Sequence, residues 1–194
     1  MESYRDEEIM RKREELKKKK YNNLENGYYV AGKIIRFCEE EVLESFYINL
    51  PDNMGIMPED LARIKYPSEF RPQIILTTVN LSVNMGFNLL RRQAAKGEME
   101  EVVKRMEAAI ERDHPDYRFY GHQKMVGLEG YWFAFRSHAM DSDLYNMMLA
   151  AVLDKNTVLV NFNCPYKDYK NWEQVVLLMW KTIRPVGRKG DVIR

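Results

Sequence analysis

Between residues 79 and 89, Val79, Leu81, Val83, Met85, Phe87 and Leu89 alternate with Asn80, Ser82, Asn84, Gly86 and Asn88. A period of two gives a strand with one apolar and one polar face. The stretch from 66 to 90 is entered through Tyr66-Pro67 and Arg71-Pro72, whose proline rings fix the backbone on the way in. It reads as a hairpin of residues 73–78 and 82–90, with the apolar row in the core. The join Thr78-Val79-Asn80-Leu81-Ser82 contains no glycine, so a bulged, less regular turn is expected. Upstream, strands are expected over 32–38 and 45–50, with Phe46, Ile48 and Leu50 on one face and Glu39-Glu40-Glu41 at or near the turn. Pro58-Glu59-Asp60 opens a short helix, and Tyr66-Pro67 must end it.

Downstream, Met99, Val102, Val103, Met106 and Ile110 repeat at helical spacing, which predicts a helix over 97–113. His114-Pro115 stops it. Four strands follow over 116–125, 128–138, 143–153 and 157–164, joined by connections short enough for hairpins. A last helix over 167–183 carries the stripe Trp172, Val175, Val176, Met179 and Ile183. Strands in close succession imply an antiparallel sheet on which the amphipathic helices must lie. Trp132, Phe133, Ala134 and Phe135 are apolar on both parities, so that sheet is covered on both faces. The expected fold class is α+β, an antiparallel β-sheet covered by helices as an α/β/α sandwich.

The first 20 residues differ in character. Glu7/Arg11, Glu8/Lys12, Glu14/Lys18 and Glu15/Lys19 are spaced i, i+4 with the acid first, which supports a solvated, charged N-terminal helix. Lys17, Lys18, Lys19 and Lys20 read as its exposed end, where cations complement the helix dipole. The expected organisation is a helical arm and linker over 1–30, one domain over 31–185, and a basic tail over 186–194. With 30 basic and 29 acidic residues the net charge is +1, which gives no overall drive toward nucleic acid or anionic lipid. The N-terminus has no apolar signal core, and the longest apolar run, 147–153, is far below the ~20 residues of a membrane helix. A cytoplasmic protein is expected, with Cys38 and Cys164 as reduced, small interior residues.

Catalytic constellations are sparse. No HxH, HExxH or CxxC spacing is present, and neither nucleotide-binding glycine motif occurs, so no metal and no cofactor is expected. Ser137, His138 and Asp141 invite a triad reading, but neighbours on a strand point to opposite faces. Asp141-x-Asp143 sits where a hairpin must turn. The best enzyme alternative, a small-molecule-binding or hydrolytic site, would use His122, His138 and Asp141. Candidate binding residues come from the aromatic content and the polar row: Tyr66, Phe70, Arg71, Asn84, Trp132 and Tyr145. Within the 66–90 stretch, the loop carrying Tyr66, Phe70 and Arg71 is a stronger binding candidate than the asparagine row.

The order of elements resembles the PsbP/DcrB-like fold, and the local text resembles uncharacterised bacterial proteins of that fold. The resemblance lies in Met57-Pro58-Glu59-Asp60, Lys65-Tyr66-Pro67-Ser68, Arg71-Pro72, the 83–88 strand, Asp143-Leu144-Tyr145-Asn146, the 158–163 strand and Trp172. It spans roughly residues 31–184 and implies non-catalytic binding, with another protein as partner. Many similar proteins are exported, whereas this N-terminus carries no signal, and the charged helix lies outside the shared pattern. The implied function is a protein-binding, adaptor or chaperone-like module.

Overall fold

The computed structural model describes residues 2–91, 97–139 and 142–187. In chain order the elements are α1 (Glu2–Lys20), β1 (Asn22–Asn23), β2 (Gly27–Val30), β3 (Lys33–Ile35), β4 (Phe37–Val42), β5 (Phe46–Pro51) and β6 (Met54–Ile56). Then come α2 (Glu59–Lys65), β7 (Ile74–Thr78), β8 (Asn84–Leu90), α3 (Met99–Asp113), β9 (Arg118–Lys124), β10 (Gly130–His138) and β11 (Asp143–Leu153). The chain closes with β12 (Asn156–Pro165), a short 3-10 turn (Tyr166–Asp168), α4 (Tyr169–Trp180) and β13 (Arg184–Pro185).

A seven-stranded antiparallel sheet, ordered β6-β7-β8-β12-β11-β10-β9, forms the centre. Its alternation gives two unlike faces. Met85, Phe87, Met147, Leu149, Val158, Val160 and Phe162 are buried toward α4, whose Trp172, Val175, Val176 and Met179 meet them. The small sheet β13-β5-β4 shares that layer through Phe46, Ile48 and Leu50. On the opposite face α3 buries Met99 and Val103 against Phe133, Phe135 and Ala150. The expected α+β fold with helices on both faces is present, with two three-stranded sheets added to the main one.

Several boundaries differ for identifiable reasons. Glu39, Glu40 and Glu41 lie inside β4, near the turn and not in it. The turn is Leu43-Glu44, both at positive φ (53° and 51°), closed by the Ser45 N–H donating to the Val42 carbonyl. Residues 22–30, expected in the arm and linker, supply β1 and β2, and Tyr29 and Val30 are buried. A division at residue 30 therefore falls inside the β2–β3 hairpin. Most of the expected 186–194 tail, residues 188–194, lies outside the described residues.

The 66–90 stretch is the expected hairpin, but its faces sort differently. The turn has Leu81 at φ 58°, and the Asn80 carboxamide oxygen accepts from the Ser82 N–H and hydroxyl and from the Thr78 hydroxyl. Val79, placed in the core row by its alternation, sits at the tip and is 96% exposed. Asn84, placed on the polar face, is 1% exposed, because α2 and its following loop cover that end of the sheet. Gly86 explains how the loop comes so close. A Cβ there would lie 2.4 Å from Pro72 Cγ and 2.1 Å from Asn161 Oδ1. Asn161 can rotate away, but the Pro72 ring cannot without moving the loop. Gly86→Ala is expected to cost about 1–3 kcal/mol by overpacking, read from urea unfolding.

Candidate functional site

On the α4 side of the sheet, the β9–β10 edge and the chain entering α4 enclose a tyrosine-lined groove. Its cavity, about 190 Å³, is walled by Tyr120, Gly121, Trp132, Ala134, Tyr145, Tyr169 and Glu173, with Gln123 at its side. A bulge in β9 builds one wall. His122 pairs with Phe133 and Phe119 with Phe135, so Tyr120 and Gly121 together oppose Ala134. Gly121 takes φ +78°, a left-handed conformation that glycine adopts without penalty. The bulge leaves Tyr120 facing Tyr166 while sending His122 to the opposite face.

The second wall comes from Tyr169, against which Tyr166 stacks, the two placed on one side of the chain by their i, i+3 spacing as the 3-10 turn runs into α4. The rings form a continuous series. Tyr120 to Tyr145 is 6.1 Å between centroids, and Tyr145 to Tyr169 and Tyr166 to Tyr169 are both 5.0 Å. The Tyr120 and Tyr166 hydroxyls bond each other at 3.1 Å. Tyr145 donates to the Glu173 carboxylate. The Arg136 guanidinium lies 4.4 Å above the Tyr166 ring. Asp143 holds that guanidinium in place, accepting from Arg136 Nε at 2.8 Å while its other oxygen meets His138 Nδ1 at 2.6 Å.

The electrostatics fix the protonation states. Burial, then the Tyr166 hydrogen bond, pushes the Tyr120 phenol up to about 12. Burial, then Glu173, pushes the Tyr145 phenol up further. Burial likewise raises the Cys164 thiol. These groups stay protonated at neutral pH and act as hydrogen-bond partners, not as bases or nucleophiles. The Asp143 carboxyl is held below its ordinary range by Arg136 first and His138 second, so it stays ionised. The groove therefore offers flat ring faces, phenol donors and one fixed charge pair. At about 190 Å³ it is below the ~300–1,000 Å³ usual for small-molecule sites and suits an inserted side chain.

The structure divides the sequence-derived candidates among three places. Trp132 and Tyr145 line this groove, both buried. Tyr66 and Asn84 meet on the other face: Asn84 Nδ2 donates to Asn163 Oδ1 at 2.8 Å, and Asn163 Nδ2 donates to the Tyr66 hydroxyl at 2.8 Å. Thr77 extends that ladder by donating to Asn84 Oδ1 at 2.7 Å. Phe70 is 92% exposed in the loop beyond, next to half-buried Arg71.

His122 and His138, the two described residues of the enzyme alternative, do not come together. His122 faces α3, 3.1 Å from Glu107, whereas His138 pairs with Asp143 on the α4 face. Ser137 accepts from Asn146 on the side away from His138. Asp141 lies outside the described residues. Among the described residues no three His, Cys, Asp or Glu side chains converge as a metal site requires, and no helix is long and apolar enough to cross a membrane.

Sequence reasoning missed Tyr166, Tyr169, Glu173 and Arg136 as groove residues. Two signals were legible: a lone glycine within a strand pattern, Gly121, and the i, i+3 tyrosines ahead of a helix. The pairing of those two segments was not, since they lie in distant parts of the sequence.

No protein-family model matches the chain, and no curated protein sequence matches it. Solved structures do. Cyanobacterial PsbP from Synechocystis is matched with a TM-score of 0.58 at 8% identity, over 80% of this chain and 96% of that one. The Saccharomyces cerevisiae Ran-binding protein Mog1p is matched with a TM-score of 0.51 at 8% identity, over 77% and 95%. LpqN of Mycobacterium tuberculosis, involved in cell envelope biogenesis, is matched at 12% identity with a TM-score of 0.47, over 85% and 99%. The chain has the PsbP-like fold.

Proposed function

We propose that the protein is a non-catalytic binding module, adaptor- or chaperone-like, that takes a segment of another polypeptide in the tyrosine-lined groove. The carrying observation is the connected set of tyrosine rings, Tyr120, Tyr145 and Tyr169 lining a cavity too small for a typical cofactor and Tyr166 tied to Tyr120 and Tyr169 at its edge. Tyrosine, tryptophan and arginine dominate binding energy at protein interfaces because they present large rigid area at low entropic cost. Here Arg136 is already locked by Asp143, which lowers the ordering cost of contact. A protein partner also accords with the fold, since Mog1p is a Ran-binding protein. The proposed setting is the cytoplasm, with Cys38 and Cys164 both as free thiols. Tyr66, Asn84, Trp132 and Tyr145 hold the surfaces in shape, and Phe70 and Arg71 form a separate exposed feature.

A peptide selected by phage display on the immobilised protein provides the test. Tyr120→Ala and Tyr166→Ala are each expected to weaken its binding by roughly tenfold or more, in calorimetry, with the melting transition retained. Phe70→Ala is expected to leave affinity unchanged. Equal affinity in both tyrosine variants, or loss only in the Phe70 variant, removes the groove as the binding site.

A further inference from the structure

A different cavity, about 240 Å³, lies where the end of α1 meets the start of α4 and is lined by Lys18, Tyr21, Asn22, Tyr28, Tyr29, Lys170 and Asn171. Its chemistry is one-sided. Lysines from two elements far apart in sequence line the same space, and no acidic residue is among its described lining. Neither Lys18 nor Lys170 forms an ion pair with a described residue. Glu14 approaches from outside, accepting from the Tyr29 hydroxyl at 3.5 Å. Lys17 and Lys20 reinforce the field, standing 5.8 Å from the Tyr29 ring and 5.2 Å from the Tyr21 ring.

Converging like charges repel unless an anion sits between them, and two carboxamides beside them supply further hydrogen-bonding groups. Tyrosine rings beside lysines are the combination that holds a base and its phosphate in single-stranded nucleic-acid sites. The volume, about 240 Å³, holds one phosphate and only part of an attached nucleoside. The geometry points to a phosphate site here, filled by a nucleoside monophosphate or by one unit of a single-stranded nucleic-acid backbone. By sequence alone the lysine run is a solvated helix end. What alters that reading is Lys170 and Asn171, brought to it by the fold.

The test uses the full chain with three probes: inorganic phosphate, adenosine monophosphate and a fluorescein-labelled single-stranded oligothymidylate. Adenosine monophosphate is expected to bind, to be displaced by phosphate, and to bind at least ~10-fold more weakly when Lys18→Glu and Lys170→Glu are combined. A tighter oligothymidylate with the same sensitivity identifies the backbone as the source. Its log–log salt slope should then flatten by about 1.4 in the double variant, two contacts at ~0.7 each. Lys33→Glu combined with Lys155→Glu, neither lining the cavity, controls for the same change in net charge. Should the double variant fail to fold, the same comparison is made with Lys18→Gln and Lys170→Gln. The inference is overturned if none of the three probes binds at millimolar concentration. It is equally overturned if the double variant binds as the parent does.

Discussion

Replacing Trp180 with alanine is expected to lower the unfolding free energy by about 3–5 kcal/mol, the largest effect among single substitutions considered. Trp180 closes α4, is fully buried, and joins the cluster that welds α4 to β5 and the main sheet. Loss of its volume leaves a cavity that rigid sheet on one side and helix on the other cannot collapse. In a domain of this size each kcal/mol moves Tm by roughly 2–4 °C, so the melting point should fall by about 6–20 °C. Trp180→Phe should behave differently. The Trp180 indole N–H is buried and has no hydrogen-bond partner among the described residues. Phenylalanine deletes that donor together with part of the ring, so the two changes oppose each other. About 1 kcal/mol of loss is expected, by urea denaturation. A loss as large as alanine's would mean that the N–H is satisfied.

Asn84 carries the second large effect. It accepts from Thr77 and donates to Asn163, and both partners are buried. Asn84→Leu leaves the buried Asn163 carboxamide oxygen without its donor and the Thr77 hydroxyl with only its longer contacts to the Thr78 and Val83 carbonyls, each loss costing roughly 1–2 kcal/mol. A total of about 2–4 kcal/mol is expected. Tyr66→Phe removes only the far end of the ladder, where Asn163 donates to the phenol, and should cost about 1 kcal/mol. Because the two changes share Asn163, the double variant should lose less than the sum. Strict additivity in chemical denaturation would show that the ladder is not one network.

The ladder also marks what a sequence can and cannot convey here. Alternation located Val83, Met85 and Phe87 in the core, and helical spacing located Met99 and Val103 on α3 and Trp172, Val175, Val176 and Met179 on α4. These are local periodicities, and tertiary structure left them intact. Val79 and Asn84 exchanged their expected environments because periodicity reports which face a residue is on, not what lies over that face. Three features supplied the cover: α2, the Pro72 loop and the close approach permitted by Gly86. Glu39, Glu40 and Glu41 run through an edge strand because the turn is taken by two left-handed residues that carry no glycine. Likewise the groove depends on β9 meeting the start of α4. Its individual tyrosines were visible, while their convergence rests on non-local strand order.

The tyrosine groove as the polypeptide-binding surface is tested most directly by titrating the ¹⁵N-labelled protein with the selected peptide and following its amide shifts. Saturable shifts are predicted within residues 118–124, 130–138 and 166–173, the β9 bulge, its partner strand and the start of α4. Saturable shifts confined to the 66–72 loop or to α3, with the groove silent, would contradict it.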